Sequence, residues 1–532
     1  MTRRHFGVPY AERPLRGSAL LRVSTLALDL DHMEACMSTT PEYAAGDTAS
    51  HVQEMLQRGI TQVRAGEHAV GMSSFDEAGR LATSAGLTAL AAGAAINRGW
   101  ALALSGDTAQ SIDAYVEGAG LAREADDPRR LVIALGNLGI AYTAERRYEE
   151  AIAVYEEYIP LLEDDAEEEV DSRLNWSVAL EGLDRTVEAA EQLDEAERVA
   201  LGAGLDPLLV RVHIAQGGMR ERGGESEEAL ELYWKAFDVA SEAEDAGMVG
   251  TVTMTLGYAY TRVGDHAKAA DCFGEAARAF RYLEADDRLA GALVRQGRAM
   301  QTLGLVDQAL EVWREAEPLL RELDDQAALG ECLLEQALAV SEQQSNFAPD
   351  LQFTEAAAAF RTAGVLDRLS VVYLAHAQWC WQRHLDSQAR KHVQEALDAV
   401  AATPNPMIES RARALHAQML ADTGEITDAV TELTTAETLS LLDGDQQGVT
   451  GARVRAAYVM ARNGATVEDV RARLAEAIEQ AREAGHEAQA RLAADTVAAE
   501  IEERCGGVYT DLIDAPAAIG FEAPVDGGAF EE

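Results

Sequence analysis

The chain has 532 residues, 48% hydrophobic but only 6% aromatic, and 91 acidic against 45 basic side chains give it a net charge of −46. A surface this acidic repels phosphate backbones, which disfavours nucleic-acid binding, and partners steered by charge are expected to be basic. No stretch reaches the ~18 apolar residues of a membrane span, and five scattered cysteines without CxxC spacing fit a reducing cytoplasm.

Alanine, leucine, glutamate and arginine dominate and β-branched runs are scarce, which predicts an all-α fold. Residues 1–47 stand outside the pattern that follows. Thr2-Arg3-Arg4-His5-Phe6 looks like a twin-arginine export motif, but Arg22, Asp29 and Asp31 break the apolar run behind it. The segment is expected to be a disordered arm, or a leader translated from an upstream start with Met33 or Met37 as the initiator.

From about residue 48 to 485 an internal repeat takes over. A small residue recurs at Gly59, Gly99, Gly139, Ser177, Gly217, Gly257, Gly297, Ala337, Ala377, Ala417 and Ala457, every step being 40 residues except the 38 between Gly139 and Ser177. Behind each anchor a second periodic segment runs small, then large apolar, then small or variable, as in Ala151, Tyr155, Tyr158 and Ala229, Tyr233, Ala236. Small residues let two helix axes approach, and the large one fills the groove beside them.

Gly66, Gly106, Gly224, Gly264, Gly304, Gly424 and Gly464 lie seven residues after an anchor and are expected to adopt the left-handed cap that ends each first helix. Asp127-Pro128 and Asp206-Pro207 read as N-cap plus first helical position, with Asp287, Asp325, Asp367 and Asp445 as further caps. In the eighth unit an insertion around Ser345 to Leu351 is expected to form an exposed loop and to delay the second helix to Thr354. Residues 486–504 read as a capping helix, and 505–532 as a flexible acidic tail.

The residues of the sixth unit carry a family resemblance. Leu256, Gly257, Tyr260, Ala269 and Phe273 match the Leu-Gly-x2-Tyr and Ala-x3-Phe pattern, and Leu138, Gly139, Tyr142, Ala151 and Tyr155 nearly match it, so the chain resembles the tetratricopeptide repeat family. Its 40-residue period is similar to the longer-helix variety of spindle-orientation adaptors and bacterial peptide-sensing regulators. The resemblance implies a right-handed α-solenoid, or superhelix, of about eleven helix-turn-helix units.

No GK[ST] loop, HExxH or GxSxG motif is present, so no catalytic residue is assigned. His376, Cys380 and His384, spaced i, i+4, i+8 and followed by His392, share a helical face as metal ligands would. In repeat register, however, His376 and Cys380 take the places of Leu256 and Tyr260, so they are read as packing and no metal or cofactor is assigned. Asp443 and Asp445 lack the later ligands of a calcium loop.

In such a solenoid the binding surface is the concave face of the first helices. Asn97, Asn137 and Asn175 stand two places before successive anchors, where by the resemblance an asparagine clamps the main chain of an extended ligand; a carboxamide offers both donor and acceptor for this. Ile60, Trp100, Ile140 and Val178, one place after the anchors, form an apolar stripe beside them, continued by Tyr258. Arg211, Arg222, Arg262, Arg295 and Arg298 form a positive patch farther on, suited to an acidic peptide or to neutralising nearby glutamates.

The expected function is a non-enzymatic scaffold or adaptor that takes a peptide or protein segment into its groove, without nucleic acid or membrane. The alternatives are a regulatory sensor for a small peptide or metabolite, and a non-catalytic subunit of a larger complex.

Overall fold

A computed structural model describes residues 47–162, 165–342 and 349–505; the readings made for residues 1–46 and 506–532 lie outside them. Among the described residues the regular elements are helices, and the chain divides into two compact units at Glu284 and Ala285.

The N-terminal unit holds six helix pairs. They are α1 (Asp47–Arg64) with α2 (His68–Ser84), α3 (Thr88–Leu104) with α4 (Thr108–Glu124), and α5 (Pro128–Ala144) with α6 (Tyr148–Tyr158). Then come α7 (Ala166–Glu181) with α8 (Thr186–Ala203), α9 (Asp206–Arg222) with α10 (Ser226–Glu242), and α11 (Ala246–Arg262) with α12 (His266–Tyr282). The C-terminal unit pairs α13 (Asp286–Thr302) with α14 (Val306–Glu322), α15 (Gln326–Glu342) with α16 (Asp350–Ala363), and α17 (Leu366–Gln382) with α18 (Asp386–Ala402). It continues with α19 (Pro406–Asp422) and α20 (Ile426–Asp443), α21 (Gln446–Arg462) and α22 (Val467–Glu483), and ends on α23 (Glu487–Cys505). Both units are all-α solenoid segments of one recurring hairpin.

Each hairpin closes by seating a large side chain in the notch its anchor leaves. A Cβ on Gly257 would lie 2.5 Å from the ring of Phe273, and Gly59, Gly99, Gly139 and Gly217 stand in the same relation to Phe75, Tyr115, Tyr155 and Tyr233. In the C-terminal unit Gly297 does so with Trp313, whose Nε1 donates to the Val294 carbonyl at 3.1 Å. These rings are almost wholly buried. At Ser177, Ala377 and Ala417 the larger anchor is met sixteen residues on by a smaller side chain, Leu193, Val393 and Leu433, which holds the volume at those three crossings roughly constant; Ala337 keeps a ring opposite it, Phe353.

The turns follow the same register. Gly66, Gly106, Gly224, Gly264, Gly304, Gly424 and Gly464 all have φ between 75° and 84°, the left-handed caps expected of them. Asp127, Asp325 and Asp445 accept from the backbone N–H three residues on, at 3.0 Å. Asp206, Asp287 and Asp367 do not cap: the N-cap positions fall one or two residues earlier, at Leu205, Ala285 and Val365, and the carboxylates sit in the first turn near the positive end of the helix dipole.

In the eighth unit the second helix starts at Asp350, not Thr354, so Asp350 and Leu351 belong to α16. Residues 343–348 lie outside the described set. The packing register is undisturbed, because Phe353 still falls sixteen residues after Ala337 and is buried.

The last helix does more than cover an end. Its final turns reach back to the C-terminal ends of two first helices, α17 and α19: Gln418 of α19 donates to Glu500 at 2.9 Å, Arg504 donates to the Trp381 carbonyl at 2.8 Å, and Arg504 pairs with Asp422 at 2.8 Å. The Arg504 guanidinium also lies 3.5 Å from the Trp381 ring centroid.

Two glycines test the notch. Gly257→Ala must displace Phe273 and is expected to lower stability by about 1–3 kcal/mol, whereas Gly291→Ala, with open space around the new Cβ, should raise it by about 0.5–1 kcal/mol through helix propensity alone. Urea unfolding followed by circular dichroism reads both; equal effects would mean that the notch does not set the crossing.

Candidate functional site

Within each hairpin of the N-terminal unit the second helix packs against the first, and successive first helices also pack on one another, so that α3 and α5 are buried or half-buried along nearly their whole length. Between α1, α3 and α5 lies a cavity of about 350 Å³. Leu56, Ile60, Leu90, Ile96 and Ile133 give it an apolar floor, and Gln53, Gln57, Asn97 and Arg130 bring polar groups to it. A few convergent polar groups over apolar walls, in a space of at least ~300 Å³, are the general features of a ligand site.

Gly93 and Arg130 shape one wall together. A Cβ at Gly93 would stand 3.2 Å from Arg130 Nε, so the glycine leaves room for the guanidinium stem to lie against α3. Asp127 holds Arg130 at the other end: the same carboxylate caps α5 and ion-pairs with the guanidinium. The cavity therefore carries a guanidinium whose direction is fixed by the start of a helix and whose charge is paired with Asp127.

Of the three asparagines, Asn97 lines this cavity. Asn137 is 3% exposed, its Nδ2 donates to the Ile133 carbonyl at 2.8 Å, and its Oδ1 is buried without a partner. Asn175 is half-buried. All three were expected on an exposed face, and that exposure is corrected: Asn97 is 8% exposed, Asn137 is buried and Asn175 half-buried, because neighbouring first helices approach closely enough to cover the positions.

Trp100 is corrected in the same way. It is 5% exposed and packs in the core cluster of α1 to α3 with Met55, Leu56 and Phe75, so it supports the cavity from behind. Ile140 is partly buried, and Tyr258 meets the edge of Phe273 at 5.4 Å between ring centroids.

The arginines are ion-paired from one repeat to the next. In the N-terminal unit Arg222 donates to both carboxylate oxygens of Glu181 at 2.6 Å, Arg262 engages both oxygens of Glu221, and Arg211 reaches Asp171. Burial raises the Asp171 carboxyl even with Arg211 beside it. In the C-terminal unit Arg298 donates from Nε to Glu335 at 2.8 Å, and Arg295 also has a partner. The expected positive patch is thus a ladder of neutralised pairs one repeat apart, and its charge is spent within the protein.

The described thiols are not activated nucleophiles. Burial pushes Cys272 up to about 11 and Cys332 and Cys380 up to about 12. Of the histidines read on one helical face, His376 and Cys380 stay together and are buried, while His384 takes the left-handed turn position with φ 58° and pairs with Glu503 at 2.9 Å. His392, on the next helix, takes the place beside His376.

The cavity wall on α1 and the Arg130 contribution escaped the sequence reading, Ile60 excepted. Leu56, Gln53 and Arg130 lie three, six and nine residues before their anchors, within two turns of the asparagine row, and Gln57 lies two before Gly59, in that row itself. Gly93, a glycine six before its anchor where the next unit has Ile133, was the available signal.

Residues 132–159 match a family profile described as Tetratricopeptide repeat. No curated protein matches the chain significantly. Among solved structures the apo form of RapI is similar at 14% identity and a TM-score of 0.44, covering 65% of this chain and 97% of that one. A signal-transduction ATPase with a tetratricopeptide repeat sensor from Pyrococcus horikoshii is similar at 15% identity and 0.44, covering 70% and 53%. The apo quorum sensor NprR from B. thuringiensis is similar at 12% identity and 0.38, covering 66% and 100%.

The two kinds of arginine pair predict different stabilities. Arg222→Ala removes a largely solvated pair and should cost about 0–1 kcal/mol. Arg298→Ala leaves the Glu335 carboxylate, 5% exposed, short of its donor and should cost about 1–3 kcal/mol. Urea midpoints at low and high salt distinguish them, the first effect shrinking with salt and the second persisting.

Proposed function

We propose, for a chain built of tetratricopeptide repeats, that it captures a peptide or protein segment in the cavity between α1, α3 and α5 of its N-terminal unit. The observation that carries this reading is the cavity itself, with Asn97 and Gln57 beside an apolar floor. An extended segment would place an apolar side chain over Leu56, Ile96 and Ile133, while the Asn97 carboxamide pairs with its main chain. Arg130 favours a carboxylate or carbonyl at the α5 end of the site. The net charge of −46 steers basic partners toward the molecule as a whole, so basic residues are expected outside the seated side chain.

Capture by a largely preformed surface spends little on reorganisation, and a few anchors then set the affinity. A sensor that responds to a small peptide is the second reading. What favours it in this chain is the size of the cavity, about 350 Å³, which suits a few residues better than a folded partner.

A displayed library of short peptides, selected on the intact chain, supplies the ligand for a test. Asn97→Ala and Gln57→Ala are each expected to weaken the selected peptides about 10-fold, or ~1.4 kcal/mol, with helical content unchanged, and Arg222→Ala to leave them alone. Selected peptides that bind Asn97→Ala and Gln57→Ala as tightly as the parent chain would overturn the assignment.

A further inference from the structure

The C-terminal unit brings together a set of side chains that the binding reading does not use. His376 and Cys380 lie one turn apart on α17, and His392 projects from α18, with one potential ligand atom from each inside a 4.8 Å spread. The two imidazoles are stacked, centroids 3.9 Å apart. Both cysteine and His376 are buried, and His392 is half-buried.

The surroundings of the rings are specific. His376 Nε2 meets Asp350 Oδ1 at 3.1 Å, and His392 Nδ1 meets Glu395 Oε2 at 2.8 Å. Each ring therefore has one nitrogen held by a carboxylate, which leaves Nδ1 of His376 and Nε2 of His392 as the nitrogens to act as ligands. Metal-bound histidines are commonly arranged in this way: an outer carboxylate fixes the ring and its tautomer, and the other nitrogen binds. Phe353, stacked on His376 at 4.8 Å, and Trp379, 6.2 Å from it, supply an apolar surround.

We infer that His376, Cys380 and His392 form a binding site for a zinc-class divalent metal, with Asp350 and Glu395 as positioning residues. Two imidazoles and a thiolate are the donor set preferred by zinc and its neighbours over calcium or magnesium, which take oxygen ligands. Three protein ligands leave a fourth position for water.

Tetrahedral bonds of about 2.0–2.3 Å place ligand atoms roughly 3.4–3.8 Å apart, so the cluster contracts by about 1 Å and the rings turn out of their stack to face a common point. On binding, the Cys380 S–H bond breaks, the sulfur–metal bond forms, and one proton passes to solvent. The site ties α17 to α18, and through Asp350 to α16, across the repeat boundary.

Cobalt(II) is the probe, because sulfur coordination gives a thiolate-to-cobalt charge-transfer band that carboxylates on this acidic surface cannot produce. The metal-stripped full chain is expected to develop that band, with tetrahedral visible bands, to an end point at one equivalent, and zinc should abolish it. Cys380→Ser should remove the charge-transfer band, His392→Gln should weaken binding at least 10-fold, and Glu395→Gln about 10–100-fold. His384→Gln should change nothing, since that residue is paired elsewhere. Circular dichroism checks that each variant is folded. Cobalt uptake without the charge-transfer band, or a band that persists in folded Cys380→Ser, would overturn the site.

Discussion

A ring pressed into the space where a Cβ would stand fixes how close the two helices of each repeat lie. Gly257 under Phe273 is the clearest instance, and the same pairing recurs from Gly59 with Phe75 to Gly297 with Trp313. Close approach makes the second helix a continuous backing for the first. It also brings successive first helices near enough to bury polar residues between them, Asn97 and Asn137 among them. At Ser177, Ala377 and Ala417, where the anchor is larger, the side chain sixteen residues later is smaller, so those crossings survive a change at either end.

The first helices of the two units are used differently. In the N-terminal unit they line an apolar cavity with an amide and a guanidinium on its walls, and farther along they are joined by arginine and glutamate pairs from repeat to repeat. Those pairs are individually worth little in water. Their regular spacing leaves the acidic excess as the dominant long-range field. In the C-terminal unit α23 lies over the ends of α17 and α19 through its Glu500 and Arg504. The proposals of segment capture at the N-terminal cavity and of metal ligation at the α17 and α18 hairpin thus rest on different units.

The sequence made the fold legible because the repeat is enforced at every crossing: the anchors, the left-handed glycines and the small-large-small second helices all obey one period. It was less informative about exposure. Periodicity says which way Trp100 and Asn137 point but not how near the next repeat comes, and that distance decides whether a position is groove or core. Spacing along one helix also misled for histidine. His384 shares a face with His376 and Cys380 only if the helix continues, and it stops at the left-handed turn. His392 replaces it from the neighbouring helix, a relation set by the hairpin and invisible to i, i+4 arithmetic. Asp206 and Asp367 failed as caps because an acidic residue suits the first turn as well as the cap, and sequence alone does not separate the two by one residue.

The most direct measurement is photocrosslinking with a selected peptide that carries a diazirine on its central apolar residue, followed by mass spectrometry of the linked fragments. The account predicts linkage within α1, α3 and α5, at residues such as Leu56, Gln57, Ile96 and Ile133 that line the cavity. Linkage confined to second helices, or to the C-terminal unit, would contradict it.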